Sequence, residues 1–334
     1  MPVPFLDFPQ LVQLEVLEKL DIRDIIFLSL LSKRTQQSVK RFGKSYEFSL
    51  RLFEQVATLK LKRNFKEKVK VCFEPISTGK RYRKFEYGWT GFESIEKHCK
   101  FYVFSLSRIE ICNDTDQYIH FINKFVDHIL ETFKINYKKF KAVDTPIDIS
   151  ELSLWNHTKK LDAVEICPFV SQLEFIHENI KDIDRLTVQI HDTSYKFHGI
   201  LTAKYLQSHS YNWLSTEALL KMQCRWFTMN YCGIPKADVN KMLLEWLAGG
   251  LRNLERFSCK FAEEDTDDVM QNIETVVWEE QPRVFRCLEL KLRCTILGIP
   301  VNIRREDGLM ASILHGSTYF KMHVWHAKYL AAAI

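Results

Sequence analysis

The apolar period of this chain changes at Gly43, and that change constrains the fold more than any other feature. Before Gly43, apolar residues recur every three to four positions. After it, short runs alternating every second residue are interleaved with further helical stretches. A chain of this kind folds as mixed α/β with a small helical module in front. Three short helices fit residues 5–42. Pro9 can occupy a first helical turn, where its missing N–H is no loss. Leu11, Leu14, Val16, Leu17 and Leu20 then give a wide apolar face. Asp21 breaks that run and can cap a second helix, Ile22 to Leu31, with Ile22, Ile25, Ile26 and Leu30 inward and Asp24 in its first turn. Ser32 suits the N-cap of a third helix, with Val39 and Phe42 inward and Gly43 as its stop.

Forty residues do not easily build a stable core alone. Yet these helices are apolar on more than one face. Either the surplus faces pack on the rest of the chain, or one of them is kept for a partner.

The body begins with strands. Val69, Val71 and Phe73 alternate with other residues, and RIEIC (108–112) reads the same way. Asp114 or Asp116 can open a helix carrying Ile122, Phe125, Val126, Ile129 and Phe133 on one face. From about residue 137 a loose repeat appears. Leu161-x-x-Val164-x-Ile166 recurs from Ile183, Leu219 and Leu254, at intervals of 22, 36 and 35 residues. The segment PKADVNKMLLEWLAGG between the last two is an amphipathic helix, with Val239, Met242, Leu243, Trp246 and Leu247 on one stripe. Strand–helix units of this kind bury their apolar faces against neighbours, as in a degenerate leucine-rich-repeat-like solenoid. An ordinary α/β sheet is the alternative. RCLELKLRC (286–294) alternates as one strand, and Asp307–Gly308 marks a C-terminal hairpin expected to cover the sheet's open edge.

Two stretches resemble a known family. FLDFPQLVQLEVLEKLDIRDIIFLSLLSKRTQQSV resembles the F-box through Phe8–Pro9, Val16–Leu17, Leu20–Asp21, Asp24–Ile25–Ile26, Leu28 and Leu31–Ser32–Lys33–Arg34. It departs at Phe8–Pro9, where Leu-Pro is usual, and lacks the aromatic often found after Ser-Lys-Arg. Residues 219–259 look like the type-two F-box-associated domain of the large nematode F-box family: an L-x-x-M-x-C run, Asp238-x-Asn240, the Leu243-x-x-Trp246 helix, Gly250, and a strand led by Leu254. IRREDGLMASI is similar to that family's Arg-x-Asp-Gly segment. The resemblance implies an F-box at 4–45, a strand and helix region at 46–135, and a substrate-binding domain at 136–330. It implies a receptor subunit of an SCF-type ubiquitin ligase, with the Skp adaptor and cullin scaffold as partners and a target protein that the sequence does not name. Adaptor contact would fall to Pro9, Val16, Leu17, Leu20, Ile25, Leu28 and Leu31.

Other functions find little support. There is no G-x-x-x-x-G-K-[ST], G-x-G-x-x-G or G-x-S-x-G, so neither nucleotide nor acyl-transfer chemistry is indicated. Nothing points to a cofactor. The nine cysteines form no C-x-x-C pair, and Cys72, Cys224 and Cys259 fall in apolar slots of strand-like runs, so neither a disulfide framework nor a zinc site is expected. His323-x-x-His326, with His315 near, reads as part of an aromatic C-terminal segment rather than a metal site. His191–Asp192 reads as a solvated turn, and EEDTDD (263–268) as a charged helix start. No stretch approaches the roughly 18 apolar residues of a membrane span. Asp7, Glu15, Glu18 and Asp21 near the start argue against a secretory leader, so a cytoplasmic or nuclear protein is expected.

The net charge of +5 is concentrated in residues 60–84, which hold ten basic residues against Glu67 and Glu74. Lys60, Lys62, Arg63, Lys66, Lys68, Lys70, Arg81 and Arg83 form a candidate basic patch. Interleaved aromatics admit a stand-alone nucleic-acid- or protein-binding module as the alternative function. The strand-like spacing of the lysines favours a solvated hairpin face or an acidic protein partner over nucleic acid.

Overall fold

The computed structural model describes residues 4–54, 56–63, 68–75, 99–105, 108–113, 118–167, 170–190, 196–200, 202–230, 233–262, 266–279, 284–287, 292–295 and 299–327. The chain divides into two compact units, residues 1–164 and 165–334.

The first unit opens with α1 (Gln10–Lys19), α2 (Ile22–Leu31) and α3 (Lys33–Phe42). Their boundaries follow from local chemistry. The Asp24 N–H donates to Asp21 Oδ1 (2.9 Å), capping α2. Ser32 and Thr35 form a reciprocal capping box at the start of α3. Gly43 ends α3 at φ +67°, where a side chain would be strained. The chain then enters β1 (Ser45–Phe53), β2 (Val56–Lys62), β3 (Lys68–Pro75), β4 (Cys99–Ser105) and β5 (Arg108–Asn113). α4 (Tyr118–Thr132), β6 (Lys134–Val143), α5 (Leu154–His157) and β7 (Lys160–Cys167) follow. The sheet order in this unit is β7-β6-β1-β2-β3-β5-β4. β6 pairs in parallel with β1 along the whole of β1, from Ser45 to Phe53. That pairing ties β6 to the strands of the first unit, which ends at Val164.

One face of this sheet is the core. Tyr46, Phe48, Leu50, Leu52, Leu59, Val71, Phe73 and Phe140 are all buried on it. Edge-to-face contacts link Phe73 to Phe125 of α4 (5.6 Å), Tyr46 to Phe133 (5.1 Å) and Phe140 to Trp155 of α5 (5.1 Å). The expected apolar face of α4 is met by Ile122, Phe125, Val126 and Ile129, all buried. Asp114 and Asp116 lie outside the described residues.

The second unit contains α6 (Val170–Asn179), β8 (Asp182–Val188), β9 (Tyr205–Ser208), α7 (Thr216–Leu220), β10 (Trp226–Met229), α8 (Lys236–Leu247) and β11 (Arg256–Lys260). It ends with β12 (Val284–Cys287), β13 (Leu292–Thr295), β14 (Val301–Arg304), β15 (Met310–His315) and β16 (Tyr319–Val324). The order is β14-β15-β16-β11-β10-β9-β8, with β8 to β11 parallel and β16 to β14 antiparallel. Register aligns Leu186, Leu206, Phe227 and Phe257 across the parallel strands, continuing through Met322 and Ile313. All six are buried, and Phe227 stacks on Phe257 at 5.0 Å.

This ladder corrects the repeat read from the sequence. The third unit, from Leu219, is not a strand. Ser215 caps α7 by accepting from the Ala218 N–H (3.1 Å), so Leu219 is helical and Met222 and Cys224 lie in the connection before β10. The strand that fills the long interval is β9, so the aligned residues fall 20, 21 and 30 apart (186 to 206, 206 to 227, 227 to 257). The single strand expected at 286–294 is also revised. Cys287 pairs with Leu292 in a two-stranded antiparallel β12/β13 ribbon, while 288–291 lie outside the described residues. The expected hairpin at Asp307–Gly308 forms: Gly308 donates to the Arg305 carbonyl (2.9 Å) at φ +86°, and Arg304 pairs with Met310.

Gly233 marks a close backbone approach. A Cβ there would lie 2.1 Å from the Phe261 carbonyl carbon and oxygen and from the Ala262 nitrogen. Gly233→Ala therefore forces the bridge between Ile234 and Phe261 apart. A loss of about 1–3 kcal/mol or more in urea-unfolding free energy is expected, and an unchanged midpoint would contradict this close packing.

Candidate docking surface on the N-terminal helices

The helices α1 to α3 hold to the body through one face. On α2, Ile22, Ile25, Ile26, Ser29 and Leu30 are buried, and α2 packs against α3 and β3. Ser29 Oγ donates to the Ile26 carbonyl (2.6 Å), so the neighbouring His128 Nε2 of α4 carries the proton and donates to Ser29 Oγ (2.9 Å). His128 Nδ1 is left to accept from Gln36 Nε2 of α3 (3.4 Å), and Gln36 also donates to Thr132 Oγ1 (2.8 Å). This neutral imidazole is buried, and burial pushes its pKa down to about 4. Arg63 donates to the Leu20 carbonyl (3.4 Å), Lys44 pairs with Glu18 (3.0 Å), and Ser38 donates to Gln13 of α1 (3.0 Å). The three helices are thus fastened to α4 and to the start of the sheet.

The opposite faces are left over. Asp24, Phe27, Leu28 and Leu31 recur at i, i+3, i+4 and i+7 on α2, away from the buried isoleucines. Phe27 and Leu28 are half-buried, and Leu31 is 45% exposed. On α1, Leu11 is 76% exposed, Val12 is exposed, and Val16 and Leu20 are half-buried. Pro9 is exposed at the N-cap of α1. One face of the helices thus packs on the rest of the chain, and the other is exposed or half-buried. Of the residues expected at an adaptor interface, Pro9, Val16, Leu20, Leu28 and Leu31 reach the surface. Leu17 and Ile25 do not. Each is 0% exposed and belongs to the internal core, because the helices need some of their apolar residues to hold their own shape. Leu11, at 76% the most exposed apolar side chain of these helices, and the exposed Val12 precede the first family-like apolar pair and were not among the residues expected at the interface.

The basic patch is rearranged by the fold. Lys60 and Lys70 share the outward face of β2 and β3, and Lys62 pairs there with Glu47 (3.0 Å). Arg63 turns instead to α1. Lys66, Arg81 and Arg83 lie outside the described residues, as does the side chain of Lys68. Three cations from distant sequence, Arg51, Lys139 and Lys141, share the face with Lys60 and Lys70.

In the second unit the motif residues are clamps. Asp238 accepts from the Tyr211 hydroxyl (2.8 Å), and Asn240 donates to the carbonyls of Val269 (3.0 Å) and Gln271 (2.8 Å). Trp246 is buried beneath the Arg305 guanidinium (5.4 Å), which forks onto Asp307 through Nε (3.0 Å) and Nη2 (2.5 Å). That fork holds the Asp307 carboxyl down at about 2. The Arg-x-Asp-Gly segment thus locks the hairpin onto α8. Asp268 of the acidic run accepts from the Met270 N–H (2.9 Å) and starts a turn, not the expected helix; Glu263, Glu264 and Asp265 lie outside the described residues, as does His191–Asp192. His323 is buried in β16, and His326 meets the Leu254 carbonyl (3.2 Å). Among the described residues no group of three His, Cys, Asp or Glu side chains converges, and no helix is long and apolar enough to cross a membrane.

Comparison with known families assigns both regions. Residues 5–45 match the F-box domain, and residues 179–259 match the F-box-associated domain. The second match begins earlier than the resemblance at 219–259 and stops short of the Arg-x-Asp-Gly hairpin. No curated protein and no solved structure matches the chain.

Proposed function

We propose that this chain, an F-box domain followed by an F-box-associated domain, is a substrate receptor of an SCF-type ubiquitin ligase. The N-terminal helices dock on the Skp adaptor and through it on the cullin scaffold, while the body holds a target protein. The chain then catalyses nothing itself. The observation that carries this reading is the division of the helices into two faces. One is consumed by His128, Thr132 and the sheet. The other presents Leu11, Val12, Leu28 and Leu31 outward, with Leu11 76% and Leu31 45% exposed. Burying such leucines contributes about 1.5–3 kcal/mol each, which offsets a large part of the cost of association.

Leu11→Asp combined with Leu31→Asp tests the reading, because both side chains are exposed and the fold does not depend on them. Capture of a purified Skp adaptor is expected to fall at least about a hundredfold, with unchanged circular dichroism and Trp155 fluorescence. Full capture by the double variant would refute adaptor docking through this surface. A Leu17→Asp change, by contrast, is expected to unfold the helices and reports nothing about the interface.

A further inference from the structure

We propose that the outward face of the second unit's sheet, around Ser258, binds a protein segment that presents carboxylates on alternate residues. The proposal concerns the body alone and stands whether or not the N-terminal helices bind an adaptor. Strand alternation builds the site. Phe257 and Cys259 of β11 are buried in the core, so Arg256, Ser258 and Lys260 point to the other face. Register sets His323, Lys321 and Tyr319 of β16 opposite these three, and Trp226 and Thr228 of β10 beside Arg256 and Ser258. Ser258 is thus the centre of a patch, with Arg256 and Lys260 about 7 Å away along its own strand and Lys321 about 5 Å away on the next. Lys260 and Lys321 are exposed, and Arg256, Ser258 and Thr228 are half-buried. Gln207 of β9 and Thr187 of β8 continue the row from Thr228 and are half-buried too, so the polar face stays accessible across five strands.

Aromatic rings, not carboxylates, hold two of the cations. Arg256 lies over Trp226 (5.3 Å) and Lys321 over Tyr319 (5.7 Å). A ring steadies a cation and leaves its charge in place. Among the described residues neither these two nor Lys260 meets a carboxylate. Glu255, next to Arg256 in sequence, is buried, and its oxygens accept from Arg225 and Trp226. Burial pushes the His323 pKa down, and the charges of Arg256 and Lys321 push it further, so both cations act on one space. Three positive charges placed together repel one another, and an incoming carboxylate relieves that repulsion. An extended segment presents every second side chain on one side at about 7 Å, the spacing of Arg256, Ser258 and Lys260 along β11. Alternate carboxylates therefore meet the cations in turn, with the Ser258 and Thr228 hydroxyls able to donate between them. A nucleic acid is a poorer fit, because base stacking needs open ring faces. Here Trp226 is buried, Tyr205 stands edge-on to it, and Tyr319 lies under Lys321.

The test uses the full chain and fluorescence anisotropy with three probes: a labelled peptide of alternating Glu and Ser, the same peptide with Gln for Glu, and a poly-uridine oligonucleotide of equal charge. The Glu peptide is expected to bind best, and to weaken as salt screens it. Lys260→Gln with Lys321→Gln is expected to weaken it roughly tenfold or more. Both side chains are exposed, so circular dichroism is expected to stay unchanged. Lys221→Gln with Lys241→Gln removes the same charge from the end of α7 and from α8, and is expected to leave binding nearly unaltered. Ser258→Glu sets a carboxylate of the chain's own among the three cations and is expected to weaken the Glu peptide as well, which supplies a second comparison if the Lys260 and Lys321 variant fails to fold. No binding of the Glu peptide, equal binding of the Gln peptide, equal loss in the Lys221 and Lys241 variant, parental affinity in the Lys260 and Lys321 variant, or tighter binding of the oligonucleotide would each overturn the proposal.

Discussion

Replacing Glu255 with Ala is expected to lower the unfolding free energy of the second unit by roughly 3–5 kcal/mol. The Glu255 side chain is buried and accepts from Arg225 Nε (2.7 Å), Arg225 Nη2 (3.1 Å) and Trp226 Nε1 (3.1 Å). Its backbone also joins strands: the N–H donates to the Arg225 carbonyl (2.7 Å), and its carbonyl accepts from the Val324 N–H (2.9 Å). One carboxylate therefore fixes the entry of β10, β11 and the end of β16. Truncation leaves the Arg225 guanidinium largely buried without its counter-charge, and that orphaned charge is the main source of the loss. Glu255→Gln keeps the shape and one acceptor, and is expected to cost less. Urea unfolding followed by tryptophan fluorescence reads the effect directly, since Trp226 is a partner and Trp325 and Trp278 pack beside it. An Ala variant with the parent's midpoint would show that the fork contributes nothing.

Acid is expected to unfold the protein through its buried histidines. Burial, with smaller contributions from Arg256 and Lys321, pushes His323 down to about 3, and burial pushes His128 down to about 4. Both stay neutral in the fold at pH values where the unfolded chain, titrating at 6.5, already takes up protons. Stability is therefore full above pH 6.5 and falls as pH drops toward 4 and then 3. His323 contributes on the order of 3–5 kcal/mol to this loss over the whole window. His323→Gln removes the titrating group, so its stability in the second unit is expected to vary less between pH 7 and pH 4.5 than the parent's. Equal pH dependence in parent and variant would place the acid sensitivity elsewhere.

What the sequence revealed divides along physical lines. Caps are local chemistry, so Asp21, Ser32 and Gly43 announced the helix ends, and Asp307–Gly308 announced a turn. The wide stripe of α8 was equally plain, because Val239, Met242, Leu243 and Trp246 are close in sequence and all face inward. β9 was missed because it is four residues, Tyr205–Ser208, with too little alternation to register. Leu219, Met222 and Cys224 were misread because buried apolar spacing alone does not separate a helix end and its connection from a strand. Glu255 gave no signal at all. A charged residue at a strand boundary reads as solvated, and its partner Arg225 lies 30 residues away. The basic face was half legible. Lys60 and Lys70 stand in one cluster of the sequence, but Lys139, Lys141 and Arg51 join them only through register. The same limit applied to Leu17 and Ile25, whose apolar character could not say which side of a helix turns inward.

The hydrogen bonds that join Ser29 and Gln36 to His128 and Thr132 bear on how freely such a module can be exchanged. The helices whose outer face carries the proposed docking surface are, on their inner side, cut to fit one particular histidine and one threonine of this body. A set of helices transplanted from another chain could preserve every outward leucine and still lay an apolar side chain over His128. The imidazole would then lose its hydrogen bonds to Ser29 and Gln36 while staying buried. Interchange of the front module between bodies of this kind requires matched changes at positions 128 and 132, so the two parts are expected to have diversified together rather than as separate cassettes.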